Sequence, residues 1–179
     1  MKKLFLTFSI LATFLCFSQT KTNELSISFF EDFRPKSVPF RMLFIKPTYV
    51  FGKDGKRMNS LVSFEMMSRM KWQYNFSLQY GLRFKLIQKK INLNYSFGVG
   101  PYYFSTYYES DLPRSYMVGG LLNNSLELGK QFEKFGFFVG FNSSIGLGYF
   151  EKYQTGNTYF GPGIDYHMNP FLKLVYKLN

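Results

Sequence analysis

The stretch VSFEMMSRMKWQYNFSLQYGLRFKL, residues 62–86, decides the fold. Every second residue from its first valine is apolar except Ser68, while the residues between them are almost all polar, charged or small. Because successive side chains of a strand point to opposite faces, this alternation predicts strands with one apolar and one polar face. One strand of this length would extend about 80 Å, far more than a membrane needs. The polar break therefore predicts a hairpin tip near residues 68–71, between strands of about 60–68 and 72–86.

The same alternation continues to the C-terminus and predicts eight antiparallel strands. Pro47 lies in the least regular of them and removes a ladder donor, so we expect a bulge or an irregular pairing there. The last strand is expected to be interrupted near Asn169-Pro170, and a hairpin at that point would raise the count to nine or ten. The predicted strands are 25–29, 40–51, 60–68, 72–86, 91–103, 118–128, 135–149 and 160–178.

The turn after the stretch is predicted from a change of parity. Apolar residues occupy even positions up to Leu86 and odd positions from Ile91 onward. A four-residue turn over residues 87–90 that pairs Leu86 with Ile91 would produce this change. The other connections are predicted at 31–38, 52–59, 105–116, 129–134 and 150–157.

The chain begins with the features of an export signal. Met1-Lys2-Lys3 precedes an apolar run from Leu4 to Phe17, followed by Ser18-Gln19-Thr20. This order predicts a signal peptide over residues 1–18 and a mature barrel domain over residues 19–179. The alternatives are a lipoprotein acylated at Cys16, whose preceding residues are poorly suited to that signal, and an uncleaved anchor, for which the run is short.

Composition restricts the class of protein. Cys16 is the only cysteine, so a mature chain starting at Gln19 has neither a disulfide nor a thiolate metal site. The mean hydropathy of −0.14 is too low for a helical membrane protein but suits a barrel with a polar interior. The net charge is +11; for an exported chain, anionic lipid headgroups are a more natural partner than nucleic acid, although solvated turn and interior residues also explain this charge.

Residue size indicates which face points outward. The polar face carries seven glycines between residues 81 and 148, together with serines and asparagines, whereas the apolar face carries Trp72 and many phenylalanines and tyrosines. An eight-stranded barrel has an interior only just wide enough for its side chains, so the large aromatic set is expected outside. Aromatic residues also gather at the predicted strand ends, as in an interface girdle. The prediction is an all-β, antiparallel, up-and-down transmembrane β-barrel.

The exported start, the strand NYSFGVGPY at residues 94–102 and the final strand PFLKLVYKLN at residues 170–179 carry a family resemblance. The chain resembles the small outer-membrane β-barrel proteins of Gram-negative bacteria. Such proteins usually end on an aromatic residue, whereas this sequence ends Leu178-Asn179. The resemblance implies location in the outer membrane, contact with its lipids including lipopolysaccharide, insertion by the barrel-assembly machinery, and no nucleic acid as partner.

The chemistry that the sequence could hold lies inside the barrel or in its loops. Predicted lumen charges include Glu65, Arg69, Arg83 and Glu127, which we expect to pair, because an unpaired buried charge is costly. A closed plug of ion pairs is the main expectation, and a narrow path for small solutes is the alternative. The remaining inward charges are Lys71, Lys85, Asp165, Lys173 and Lys177.

Enzymatic chemistry has little support in the sequence. The single histidine, His167, is followed two residues later by Asn169, where lipid A-modifying barrels place serine. No catalytic, cofactor-binding or metal site is therefore predicted. The long loop at residues 105–116 mixes aromatic and polar residues and is a candidate site for an unknown surface ligand.

Overall fold

The computed structural model describes residues 22–31, 43–52, 56–69, 73–106, 115–154 and 157–178. Eight strands run through these segments, and the described residues contain no helix long and apolar enough to cross a membrane. The strands are β1 (Thr22–Glu31), β2 (Leu43–Gly52), β3 (Met58–Arg69), β4 (Gln73–Gln88), β5 (Asn92–Thr106), β6 (Ser115–Gln131), β7 (Phe135–Gln154) and β8 (Asn157–Lys177). The predicted signal segment, most of the 31–38 connection and the centre of the 105–116 loop lie outside the described residues.

The strands form a closed up-and-down barrel. Each strand pairs antiparallel with the next along the chain, and β8 pairs with β1. A path that starts at Phe30 and passes from each residue to its partner on the next strand reaches β8 at Gly161. The residue of β8 that actually pairs with Phe30 is Phe171, which lies ten residues further along the chain. This stagger over eight strands corresponds to a strand tilt of about 40°. The path is Phe30, Phe44, Met67, Asn75, Phe104, Met117, Phe150 and Gly161.

The predicted strand number is confirmed, and the alternative of nine or ten strands is wrong. β8 runs from Asn157 to Lys177 without interruption, and its register with β7 continues through Asn169-Pro170. The loop predicted at 150–157 is also wrong in its bounds. Both strands extend beyond the predicted ends at Tyr149 and Phe160, to the pair Gln154↔Asn157.

Prolines interrupt single ladder positions without shifting the register. Pro47 pairs with Ile27 of β1, while the pairing with β3 stops at Ile45 and resumes in the same register at Thr48. Of the two expected alternatives, the described β2–β3 pairing shows the irregular pairing and not the bulge, because the missing N–H leaves a gap in the ladder. Pro101 produces the same gap between β4 and β5 while pairing with Gly120 of β6.

The hairpin predicted near residues 68–71 is confirmed, with the last pair at Arg69↔Gln73. The next turn is not the predicted one. Gln88 pairs with Asn92, and the register shifts between Lys85 and Ile87. The change of parity thus comes from a β-bulge at Leu86, not from a four-residue turn pairing Leu86 with Ile91. A bulge adds one residue to one strand and reverses the face of every residue beyond it.

The predicted assignment of faces is confirmed. Large apolar residues are exposed on the outside of the barrel, and serine, asparagine, glutamine and charged residues are buried inside it. Outward residues, one from each strand, are Leu25, Pro47, Phe64, Leu78, Phe97, Leu122, Phe137 and Leu172.

The interior is not uniformly polar. At the end that carries the 105–116 loop, Phe30 packs on Phe171 with ring centroids 5.4 Å apart, and Tyr102, Met117 and Leu121 form a second apolar cluster. Glycines provide the room for these rings. A Cβ at Gly140 would lie 2.6 Å from the Phe171 ring, and one at Gly146 would lie 2.8 Å from the Tyr102 ring. Apolar packing therefore fills part of the interior at the loop end.

Candidate functional site

The largest group of buried charges joins four strands across the lumen. Arg83 of β4 donates from Nη1 to Glu24 of β1 at 2.7 Å, and its Nε lies 3.9 Å from Glu127 of β6. Lys173 of β8 donates to the other oxygen of Glu127 at 2.7 Å. Asn94 adds a 2.9 Å hydrogen bond to the same carboxylate. This group is called the Arg83 network below.

A second group lies on β2, β3 and β4. Lys46 lies 3.4 Å from the Glu65 carboxylate and donates to Gln79 Oε1 at 2.8 Å. The Gln79 amide nitrogen donates to Ser77 at 2.8 Å and to Glu65 at 3.4 Å. The amide therefore bridges the two charged side chains and satisfies both of its own polar ends.

The two groups contain three cations and three carboxylates, so their formal charges cancel. Each of the six side chains belongs to a residue that is 7% exposed or less. Burying an ion is expensive unless close partners and hydrogen bonds compensate, and here every charge has an opposite charge within 4 Å. The arrangement can hold strands together and close the lumen.

The sequence identified three of the four residues predicted for this network. Glu65, Arg83 and Glu127 are buried in the lumen, with Glu65 in one group and the other two in the Arg83 network. Arg69 ends β3, and its side chain lies outside the described part of the chain.

The sequence analysis missed two charged members of these groups, one in the Arg83 network and one in the second group. Glu24 and Lys46 contribute one carboxylate and one cation. Glu24 has the same parity as the inward Ser26 and Ser28, which could have identified it. Lys46 has the parity of Thr48, but its neighbour Pro47 and the apolar run before it obscured the strand pattern.

A third cluster involves His167. The imidazole and the Tyr102 hydroxyl both contact Asp165 Oδ2, and Asn75 Nδ2 donates to the Tyr102 oxygen at 3.4 Å. His167 and Asn169 are 3% and 2% exposed, and both face the interior. A lipid substrate would meet the outer wall, so these side chains are on the wrong face to act on it. The described residues contain no group of three or more histidine, cysteine, aspartate or glutamate residues suited to a metal ion.

The lumen contains two described cavities separated by Arg83, which lines both. The central one has a volume of about 30 Å³, enough for one or two water molecules. The second, at the terminal end, has a volume of about 230 Å³ and is polar except for Phe138. The cavity on the terminal side of Arg83 is therefore much larger than the central one.

Comparisons with known proteins agree with this architecture. No family model matches the chain, and no curated protein has a significant sequence match. The fold is similar to that of Neisserial surface protein A (NspA), with a TM-score of 0.60 and 5% identity over 88% of this chain and 96% of that one. It is also similar to the N-terminal β-barrel domain of Pseudomonas aeruginosa OprF, with a TM-score of 0.54 and 10% identity over 89% and 98% of the two chains. The chain therefore has the fold of the eight-stranded outer-membrane β-barrels.

Proposed function

We propose that this chain is an integral outer-membrane barrel with a closed lumen and a non-enzymatic, structural or surface-recognition role. The observation that carries the proposal is the combination of an apolar outer wall with buried interior charges that each lie within 4 Å of an opposite charge. The similarity of the fold to eight-stranded outer-membrane barrels supports the membrane location. The name of one of them, Neisserial surface protein A, also supports a position at the cell surface.

The outer wall supports the membrane location. Exposed apolar side chains on all eight strands would form a patch far larger than the few hundred Å² that a soluble monomer exposes. Aromatic pairs lie towards both ends of the wall, as expected for interface girdles. Phe135–Tyr176 and Phe84–Tyr95 lie near the terminal end, and Tyr149–Phe160 and Phe76–Tyr103 lie towards the other end.

Lipids are the proposed partners of this wall, with insertion by the barrel-assembly machinery. Exposed cations surround the terminal end, where they would meet anionic headgroups of the inner leaflet. Lipopolysaccharide would occupy the outer leaflet, next to the loops. The exposed cations are Lys56, Arg57, Lys89, Lys90, Lys130 and Lys134.

The membrane assignment is tested by cell fractionation followed by gel electrophoresis in SDS with and without boiling. A closed barrel resists SDS at room temperature, so we expect a band in the outer-membrane fraction that shifts on heating. An unshifted band in the soluble fraction would contradict the proposal and would point to a soluble ligand-binding barrel.

A narrow passive pore is the second candidate function. The terminal cavity favours it, because it extends to Arg83 from one end of the barrel. Closure at Arg83 predicts no steady conductance in planar bilayers, whereas a pore predicts discrete openings that increase when Arg83→Ala removes the constriction. Openings in the wild-type protein would exclude the closed lumen.

Lipid A modification is the remaining alternative. It predicts a mass shift of lipid A on overexpression that His167→Ala abolishes. An unchanged lipid A mass spectrum is expected for a non-enzymatic barrel.

A further inference from the structure

The outer wall of the barrel carries a polar cluster at mid-height on β5 to β8. Asn124 lies one residue from the centre of the 17-residue β6 and is only partly buried. Its Oδ1 accepts a 2.6 Å hydrogen bond from the hydroxyl of Tyr95 on β5. Asn124 pairs across the β6–β7 ladder with Ser143, whose hydroxyl donates to the Tyr166 hydroxyl on β8 at 3.5 Å. These four side chains are called the wall cluster below.

The amide of Asn124 is an exception on this wall. Among the described outward residues more than three positions from a strand end, Asn124 is the only one with an amide or charged side chain. Its Nδ2 has no acceptor within the described part of the chain, and its Oδ1 uses one of two lone pairs. Hydrocarbon offers no hydrogen-bond partner, so an amide at this depth is unfavourable unless another protein surface supplies one.

The wall cluster lies on a line along which two barrels can touch. Upright barrels in one membrane meet along a line parallel to their axes. With the strands tilted about 40°, the line through Asn124 passes Tyr95 on its terminal side. On its loop side the line passes Ile145 and reaches Ile164, which is 77% exposed. The polar group at mid-height is thus flanked by exposed apolar side chains on the same line.

A small residue beside Asn124 lowers the wall. Gly120 is exposed and lies outward, four residues along β6 from Asn124. A Cβ at this position would meet nothing among the described residues nearer than the Gly100 carbonyl oxygen at 4.0 Å. Small residues let backbones approach closely where membrane-embedded helices pack, and the same physical reason applies to two strand surfaces.

We propose that two copies of this chain associate through the wall cluster, related by a twofold axis along the membrane normal. This axis keeps both copies inserted the same way round and places the two Asn124 side chains opposite each other at the same depth. Nδ2 of each amide then donates to the second lone pair of Oδ1 in the other copy. A second copy therefore supplies both the donor and the acceptor that lipid chains lack. The inference rests on the membrane location proposed above.

Cysteine cross-linking in outer membranes tests the association. Ile145→Cys places a thiol on the contact line, and oxidation with copper phenanthroline should produce a disulfide-linked dimer. Phe64→Cys is the matched position, because Phe64 is outward and 41% exposed on β3, on the far side of the barrel. It should give at least about fivefold less dimer. The chain without an introduced cysteine should give none once cleavage near Ser18 has removed Cys16.

A substitution in the Ile145→Cys chain tests whether the amide holds the two copies together. Asn124→Leu keeps the approximate size of the side chain but removes its donor and acceptor, so the dimer yield should fall at least about fivefold. Ser60→Leu is the matched control, because it replaces a partly buried, outward polar residue on the far wall. Its yield should stay within about twofold. Each variant is first checked for the heat-dependent gel shift, which reports the membrane barrel separately from its association.

Several results would overturn the dimer while leaving the membrane barrel intact. In a chain that shows the gel shift, these are no dimer from Ile145→Cys, or equal yields from Ile145→Cys and Phe64→Cys, which would indicate random collision. A cross-link from Ile145→Cys to a different protein would mean that another partner covers the wall cluster. An unchanged yield in Asn124→Leu would mean that the amide plays no part. Loss of the gel shift in the wild-type chain would instead contradict the membrane location, and the dimer with it.

Discussion

Glu127 lies at the centre of the Arg83 network. Its two oxygens accept hydrogen bonds from Lys173 and Asn94, and Arg83 lies within ion-pair distance at 3.9 Å. Glu127→Gln keeps the size of the side chain but removes its charge. Lys173 would then lose the charge of the carboxylate to which it donates while it is still buried, so we expect a loss of about 3–5 kcal/mol in the free energy of unfolding. Urea titration of the folded barrel in detergent measures it.

Glu133→Gln is the control for this prediction, because Glu133 lies in an exposed turn and is expected to change stability by less than about 0.5 kcal/mol. The double variant Glu127→Gln/Lys173→Met also removes the buried cation that the single variant leaves without its carboxylate. Part of the lost stability should therefore return. A single variant as stable as the wild type would show that the network contributes nothing to stability.

Gly81 tests the close approach of two strands. A Cβ at this position would lie 1.9 Å from the Phe97 carbonyl oxygen, which is backbone and has little freedom to move. Gly81→Ala is therefore expected to destabilise the barrel by about 1–3 kcal/mol or more, as overpacking does. Gly161→Ala is the matched control, since its added Cβ would have no neighbour within 4 Å among the described residues. Equal unfolding curves for the two variants would contradict the close approach at β4–β5.

At the scale of the strand, the bulge at Leu86 makes a prediction about deletions. Removing Leu86 restores a regular ladder, with Lys85 still inward and Ile87 still outward, so the heat-dependent gel shift should persist. Removing Leu82 instead turns the neighbouring Arg83 outward, because a one-residue slip reverses the faces. That deletion should abolish the shift. Loss of the shift in both variants would show that the bulge is not what sets the parity.

The alternation of side chains was sufficient to predict the strands and their faces, because a pleat allows only two directions. It was not sufficient to predict turns. A bulge and an even-numbered turn change parity identically, so residues 85–92 left no sign of the choice between them. The inward charges could be predicted only in strands where the alternation of apolar and polar residues was clear. Glu65, Arg83 and Glu127 lie in regular strands, whereas Lys46 lies next to a proline.

At the scale of the whole molecule, the strands that form the barrel wall differ in length. β1, β2 and β3 have 10, 10 and 12 residues, whereas β7 and β8 have 20 and 21. β8 pairs with β1 only over residues 171–177 within the described register. Its first half therefore forms a tall β7–β8 hairpin on the side opposite the chain termini. A raised hairpin beside the 105–116 loop is where a surface-recognition role would be exerted.

The orientation of the barrel in the membrane follows from this geometry and can be measured directly. The chain termini and the short turns share one end, which in outer-membrane barrels faces the periplasm. Ser110→Cys, in the long loop, should react with a membrane-impermeant maleimide on intact cells. Lys90→Cys, in the turn at the other end, should react only after the cells are lysed. Wild-type protein should not react at all if cleavage near Ser18 has removed Cys16, the only natural cysteine. The reverse labelling pattern would mean that the barrel is inserted the other way round, with the cavity at the terminal end open to the outside.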